Sequence, residues 1–305
     1  MSRVLLLFID GIGLGDVDPT VNPFTAASLP TITELLDGRH LVLEHAGFQN
    51  ERCSLVALDA RLGMPGLPQS GTGQTTLFTG QNAAQIFGRH FGPWVPTSLR
   101  ALLGEQNVLS LARSRGRSVA FANAYPEEVF AEGRKARDPL RAAPPIAALG
   151  AGVMNRHTPE LMRGDAIASE IINEGWRMHL QRTELPVVTP REAGHNLARI
   201  AAQHELTLFA HYSTDHVGHT GHMEESITAL QRVDQFLGGM LERMPDDLTI
   251  LLASDHGNIE DVRVGHTLNP TIGLFMGRRH RELAAGAASL TDVAPRILAI
   301  GDGPG

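Results

Sequence analysis

The sequence holds a single cysteine, Cys53, so no intramolecular disulfide can form and nothing points to an oxidising compartment. Positive charge is also short: the formal net charge is -7, which leaves no footprint for a polyanion and argues against nucleic acid or an anionic membrane surface as main partner. A small anionic ligand stays compatible, because a local site can oppose the global sign. Long apolar runs are missing too. The amino-terminal "MSRVLLLFIDGIG" is too short for a signal peptide or spanning helix, lacks an A-x-A type cleavage site and runs into an aspartate, so it reads as a first core strand of a cytoplasmic protein. Lys135 is the sole lysine, all other basic side chains being arginine, and neither internal repeats nor low-complexity linkers occur.

What is present suits a globular chain. Its 305 residues, 42% hydrophobic and 19% charged, can bury one large core, or one core plus a smaller lobe. Near-continuous apolar runs at 3–10, 54–60, 206–213, 248–255 and 271–277 read as strands covered on both faces, the expectation for parallel pairing. Between them, 192–204 and 223–244 place apolar residues at three- and four-residue steps, as in Ile227, Leu230, Val233, Leu237 and Met240. "SLTDVAPRILAIG" fits a closing helix with Ser289 or Thr291 as N-cap. Strand and helix in alternation predict an α/β fold, a doubly wound and mostly parallel sheet flanked by helices. Residues 86–189, richer in proline, glycine and arginine and with "SVAFANAY" (118–125) as their clearest strand signal, read as a smaller cap inserted into a core of 1–85 and 190–305.

Open α/β sheets bind ligands at the carboxyl ends of their strands. Asp10 ends the first strand, Asp215 follows "LTLFAHYS" with His219 four residues on, Asp255 and His256 end "LTILLASD", and His266 precedes the last strand. Any one of these has a plain reading as a turn, cap or surface residue. As a set, oxygen and imidazole donors converging at strand ends suit zinc or manganese. The stretch "GLPQSGTGQTTLFTGQ" (66–81) adds hydroxyls in a glycine-rich turn leading into a helix, whose free N–H groups favour an anion. Ser70 and Thr72 are both candidate nucleophiles there, since coordination to a divalent ion can hold a hydroxyl as its alkoxide.

The series Asp10, "SGTGQTTLFTG", "TDHVGH", "SDHGN" and "GHT" resembles the alkaline-phosphatase superfamily of two-metal phosphoryl-transfer enzymes. Within it, "DHGNIEDVRVGHTLNP", "LGMPGLPQSGTGQ" and "LTDVAPRIL" look like the cofactor-independent phosphoglycerate mutase and phosphopentomutase branch. The resemblance covers about 1–85 and 190–305. It implies one metal held by Asp215, His219 and His266, and a second held by Asp10, Asp255, His256 and the nucleophile. The spacing to "TLFTG", similar to the nucleotide pyrophosphatase branch, selects Ser70 as that nucleophile and metal ligand. The ions, Mn2+ or Zn2+, would lie about 4 Å apart and share a substrate phosphate that Ser70 attacks in line.

Departures from the branch bear on the reaction. The mutase's long inserted domain with its arginine-rich motifs is not recognisable, Gln74 stands where that branch has a histidine, and no sulfatase signature surrounds Ser70. These features favour a phosphohydrolase acting on a small phosphorylated metabolite; a phosphomutase with a reduced lid is the alternative, and a non-catalytic metal-binding relative the third reading. Cap residues that could meet a substrate anion are Arg89, His90, Arg134, Lys135 and Arg137, each with an equally plain reading as a solvated charge. Asn258 and Glu260 lie where they could orient the metal ligands.

Overall fold

A computed structural model describes residues 2–130 and 138–301. The described residues form one six-stranded sheet of β1 (Arg3–Ile9), β2 (Cys53–Leu58), β3 (Val119–Phe121), β4 (Leu206–His211), β5 (Leu248–Ala253) and β6 (Thr271–Gly277), in the order β2-β6-β5-β1-β4-β3. β1 lies at the centre and pairs in parallel with β4 and β5, Val4 standing opposite Leu206 and Thr249. Its alternation divides the core. Val4, Leu6 and Phe8 enter one apolar cluster with Leu99, Leu103 and Ile297; Leu5, Leu7 and Ile9 enter another with Leu197, Phe236 and Met240. A sheet buried on both faces needs apolar residues at every position, which is why β1, β4 and β5 read as unbroken hydrophobic runs.

The helices form where their caps and stripes allow. The Pro190–Ala201 helix starts in a capping box, the Thr189 side chain accepting from the Glu192 N–H while the Glu192 carboxylate accepts from the Thr189 N–H, with proline at the first turn. It packs with the Met223–Arg243 helix against the Leu5, Leu7 and Ile9 face. Ser289 caps the turn that leads into the Val293–Gly301 helix.

The sheet is mostly parallel, as expected, with one local departure: β6 runs antiparallel to both β5 and β2. The reason lies in residues 254–270, which return from the end of β5 without a crossover helix, and so bring the chain back in the opposite direction. The 86–189 stretch, for its part, is not set apart along its whole length. β3 adds to the sheet edge beside β4, and Leu99, Leu103, Leu109 and Ala147 join the core cluster of Val4, Leu6 and Phe8. A later portion packs on itself, through Ala124, Leu161, Ala166, Ala168, Trp176 and Leu185.

His211, the last residue of β4, is fully buried, its Nδ1 2.7 Å from the Ser169 carbonyl oxygen. Burial pushes the imidazole down to about 4, against the pull of that hydrogen bond. Between this value and the ordinary 6.5 the unfolded chain binds more protons than the folded one, so this contribution is complete above pH 6.5 and is lost as pH falls toward 4. Urea unfolding at pH 7 and pH 5 is expected to show a loss of about 2 kcal/mol from this group, and a His211→Gln variant should lack that part of the pH dependence. Equal pH dependence in the two proteins would contradict the assignment.

Candidate metal centre

The carboxyl ends of β1, β4 and β5 and the approach to β6 meet at one edge of the sheet. β1 delivers Asp10, after which Gly11 turns at φ +73; a Cβ on Gly11 would come within 2.9 Å of Asp215, so this turn admits only glycine. Asp215 lies in the first turn of the short Ser213–Gly218 helix after β4, and His219 caps that helix. Asp255 and His256 follow β5, while the antiparallel entry into β6 carries His266 back to the same edge.

The Ser70–Thr79 helix presents its first residue to this edge. The helix is buried along its whole length despite being polar, because its threonines bond back along the turn: Thr75 to the Gly71 carbonyl at 2.6 Å, Thr76 to Thr72 at 2.9 Å and Thr79 to Thr75 at 2.7 Å. Ser70 Oγ lies 3.0 Å from His256 Nε2. The Thr72 hydroxyl, by contrast, accepts from the Phe91 N–H at 3.1 Å and faces backbone. Geometry therefore separates the two hydroxyls.

His256 is fully buried, and its Nε2 is 3.4 Å from Asp10 Oδ1, 3.6 Å from Asp255 Oδ2 and 3.9 Å from Asp215 Oδ1. Two groups of donors result, Asp10 with Asp255 and His256, and Asp215 with His256 and His266; within each the ligand atoms lie within 4.8 Å of one another. His219 stands beside the second group, Nε2 3.5 Å from Asp215 Oδ2 and its ring 4.9 Å from that of His266. The structure thus brings Asp10, Ser70, Asp215, His219, Asp255, His256 and His266 together, with His256 common to both groups.

Electrostatics at this edge call for positive charge. Burial, then the neighbouring Asp255 and Asp215, push the Asp10 carboxyl well above its ordinary range, although Gln74 Nε2 donates to Asp10 Oδ2 at 3.0 Å. Asp10 Oδ1 and both oxygens of Asp255 are buried without a hydrogen-bond partner. Such groups are costly unless a cation faces them, so this donor set fits a bound divalent metal. Asp215 behaves oppositely. Burial would raise it, but the His266 contact, His256 and the Asn258 amide hold it down at about 2. His266 is raised: burial lowers it, but Asp215, the Pro68 carbonyl and Asp255 together outweigh that, and its Nδ1 lies 2.8 Å from the Pro68 carbonyl oxygen. A ring fixed in this way presents Nε2 to the site.

Sequence reasoning undervalued Glu260. It is buried and accepts from the Gly13 N–H at 2.9 Å, the Asn258 N–H at 2.8 Å, Asn269 Nδ2 at 3.1 Å and the Thr267 hydroxyl. One carboxylate thereby ties the loop after β1 to the loop that carries His256 and His266; a Cβ on Gly13 would lie 2.1 Å from it. Asn258 donates to Asp215 Oδ1 at 2.6 Å. No local signal marks Glu260, since its partners are spread between 13 and 269.

The cap candidates are placed differently. Arg89 lies 5.8 Å from the centroids of Phe87 and Phe91, and His90 Nε2 is 3.1 Å from the Arg61 carbonyl oxygen; both line a shallow depression beside Gln69 and Phe91. Arg134, Lys135 and Arg137 lie outside the described residues. Beside Ser70, Asp10 and Asp215 instead opens a cavity of about 630 Å³, reaching Tyr125, Trp176 and Arg182.

Residues 185–300 match the model of the Metalloenzyme superfamily, a stretch that carries Asp215, His219, Asp255, His256 and His266. The match makes this carboxyl-terminal part of the chain similar to that superfamily. In sequence it is similar to the 2,3-bisphosphoglycerate-independent phosphoglycerate mutase of Thiobacillus denitrificans, 38% identical over 105 residues, 32% of this chain and 20% of the mutase. The match thus spans about a fifth of that relative's length. Among solved structures, a protein of Pyrococcus horikoshii aligns with TM-score 0.58 at 12% identity, covering 99% of this chain and 97% of its own. Alkaline phosphatase from the Antarctic bacterium TAB5 aligns with TM-score 0.51 at 11% identity, covering 99% and 98%. At such identities the likeness is one of fold. No helix among the described residues is long and apolar enough to cross a membrane.

Proposed function

We propose that the protein is a phosphohydrolase dependent on two divalent cations, acting on a small phosphate ester through a phosphoserine at Ser70. The observation that carries this reading is the place of the Ser70 hydroxyl, 3.0 Å from His256 Nε2 where the two donor groups meet, and open to the cavity. Asp10, Asp255 and His256 would hold one cation beside Ser70, and Asp215, His219 and His266 the other. When bound, the cations would neutralise the facing carboxylates, keep the Ser70 oxygen deprotonated and draw charge from the phosphate oxygens.

The chain's own residues supply the rest. Ser70, at the first position of its helix, sits where the helix dipole favours the negative charge of an alkoxide and of a phosphate. Its oxygen bonds to phosphorus as the ester P–O bond breaks; the departing alcohol oxygen takes the electron pair and then a proton from solvent. Water next attacks the phosphoserine, the bond from phosphorus to Ser70 Oγ breaks, and inorganic phosphate leaves. Asn258 and Glu260 keep Asp215 and the His256–His266 loop in position throughout. The self-packed segment around Ala124 to Leu185 would act as the cap.

A second reading, phosphomutase, is favoured by the name of the relative matched over 105 residues. A screen of phosphorylated metabolites with manganese- or zinc-loaded protein, scoring free phosphate and isomer formation together, decides between the two. Phosphate release equal to substrate consumed is the expected result. Isomer formation without free phosphate would replace the hydrolase reading with the mutase one.

A further inference from the structure

Resting on that reading of Ser70, we infer that the substrate is a phosphate ester of an uncharged, largely apolar or aromatic alcohol, whose organic part is held by Trp94, Tyr125 and Trp176. The chain contains two tryptophans and two tyrosines, and all four, Trp94, Tyr125, Trp176 and Tyr212, line the cavity that opens at Asp10, Ser70 and Asp215. Elsewhere the core is filled by phenylalanine and aliphatic side chains, so the amphipathic aromatics are concentrated at one place. Such residues combine a large apolar face with a polar edge, which suits a wall that must hold an apolar group next to a polar reaction centre. The volume, about 630 Å³, is that of a small-molecule site and exceeds what a phosphate alone requires.

Charge on the wall points the same way. Pro93, Pro126, Val129 and Leu180 extend the apolar lining, and the only basic side chain on it among the described residues is Arg182. Arg182 is already ion-paired with Glu128, which lines the cavity as well. Arg141 lies 5.8 Å from the Trp94 ring centroid without lining the cavity, and Arg89 and His90 border a separate depression. Among the described residues, then, no unpaired cation stands on this wall to meet a carboxylate or second phosphate on the substrate, and such a charge left unmatched is unfavourable. An aromatic or branched apolar group would instead lie between rings.

Calorimetric titration of the zinc-loaded protein with inorganic phosphate, benzylphosphonate and phosphonoacetate tests this. The two phosphonates share the phosphoryl head of inorganic phosphate and differ from each other in carrying a benzyl ring or a carboxylate arm. Benzylphosphonate is expected to bind at least about 30-fold tighter than phosphonoacetate, in keeping with burial of one aromatic ring. Trp176→Ala should lower the affinity ratio of benzylphosphonate to inorganic phosphate by about tenfold or more. Trp94→Ala, at a half-buried position, gives the same readout should Trp176→Ala fail to fold. Phosphonoacetate binding as tightly as benzylphosphonate, or an unchanged ratio in the folded variants, would overturn the substrate class and leave the Ser70 reading standing. Failure of inorganic phosphate and both phosphonates to bind would overturn the phosphoryl-transfer reading, and this inference with it.

Discussion

Replacing His256 by alanine is expected to lower phosphate-ester turnover at least about a thousandfold and to reduce bound divalent cation from two per chain to at most one. The size of the effect reflects its position. Its Nε2 is the one donor common to both groups, within 3.4 to 3.9 Å of three separate carboxylates and 3.0 Å from Ser70 Oγ. Without the ring, Asp10, Asp215 and Asp255 face one another with fewer compensating donors, and Asp10, already pushed up by burial and by these two neighbours, would hold its proton more firmly. Protons then compete with cations for the site. Metal analysis together with phosphate release reads both effects, and a circular dichroism spectrum matching the parent would show that the fold is kept. Two cations and turnover within tenfold of the parent would contradict the role given to His256.

Ser70→Ala should be as damaging to turnover, by about a thousandfold or more, yet should leave both cations bound. The change removes a single oxygen, while Asp10, Asp255 and His256 keep their places because loops tied elsewhere position them: Ser254 accepts from the Ile12 N–H at 2.9 Å, and Glu260 joins the 13 and 258 backbones. Thr72→Ala is the informative companion. Its hydroxyl is engaged by the Phe91 N–H, so the expected cost is about 1 kcal/mol of stability with chemistry retained. Turnover lost in Thr72→Ala and kept in Ser70→Ala would reverse the assignment of the nucleophile.

The candidate site was legible because chemistry at the ends of core strands is local in sequence. Asp10 and the Asp255–His256 pair close on the ends of apolar runs and Asp215 stands in the short helix that follows another, and an α/β sheet brings such ends together. The direction of β6 was not legible. A run buried on both faces reports burial and not polarity, and only the missing crossover helix between β5 and β6 carries the sign. The extent of the insert was blurred for a related reason: β3 contributes only three residues to the sheet, too few to stand out within a proline- and glycine-rich stretch. Arg89 and His90 were singled out by charge, but charge in a sequence does not say which way a side chain points, and here ring faces and a carbonyl engage them. Glu260 acquires its bridging role only through Gly13, 247 positions away, and the four aromatic residues of the cavity are gathered only by the fold.

The most direct test of a two-cation centre at Ser70 is anomalous diffraction from crystals grown with manganese, recorded at the manganese edge. Two peaks are predicted, one among Asp10, Ser70, Asp255 and His256 and one among Asp215, His219 and His266. A single peak away from Ser70, or no peak at these carboxylates in crystals that hold manganese elsewhere, would contradict it.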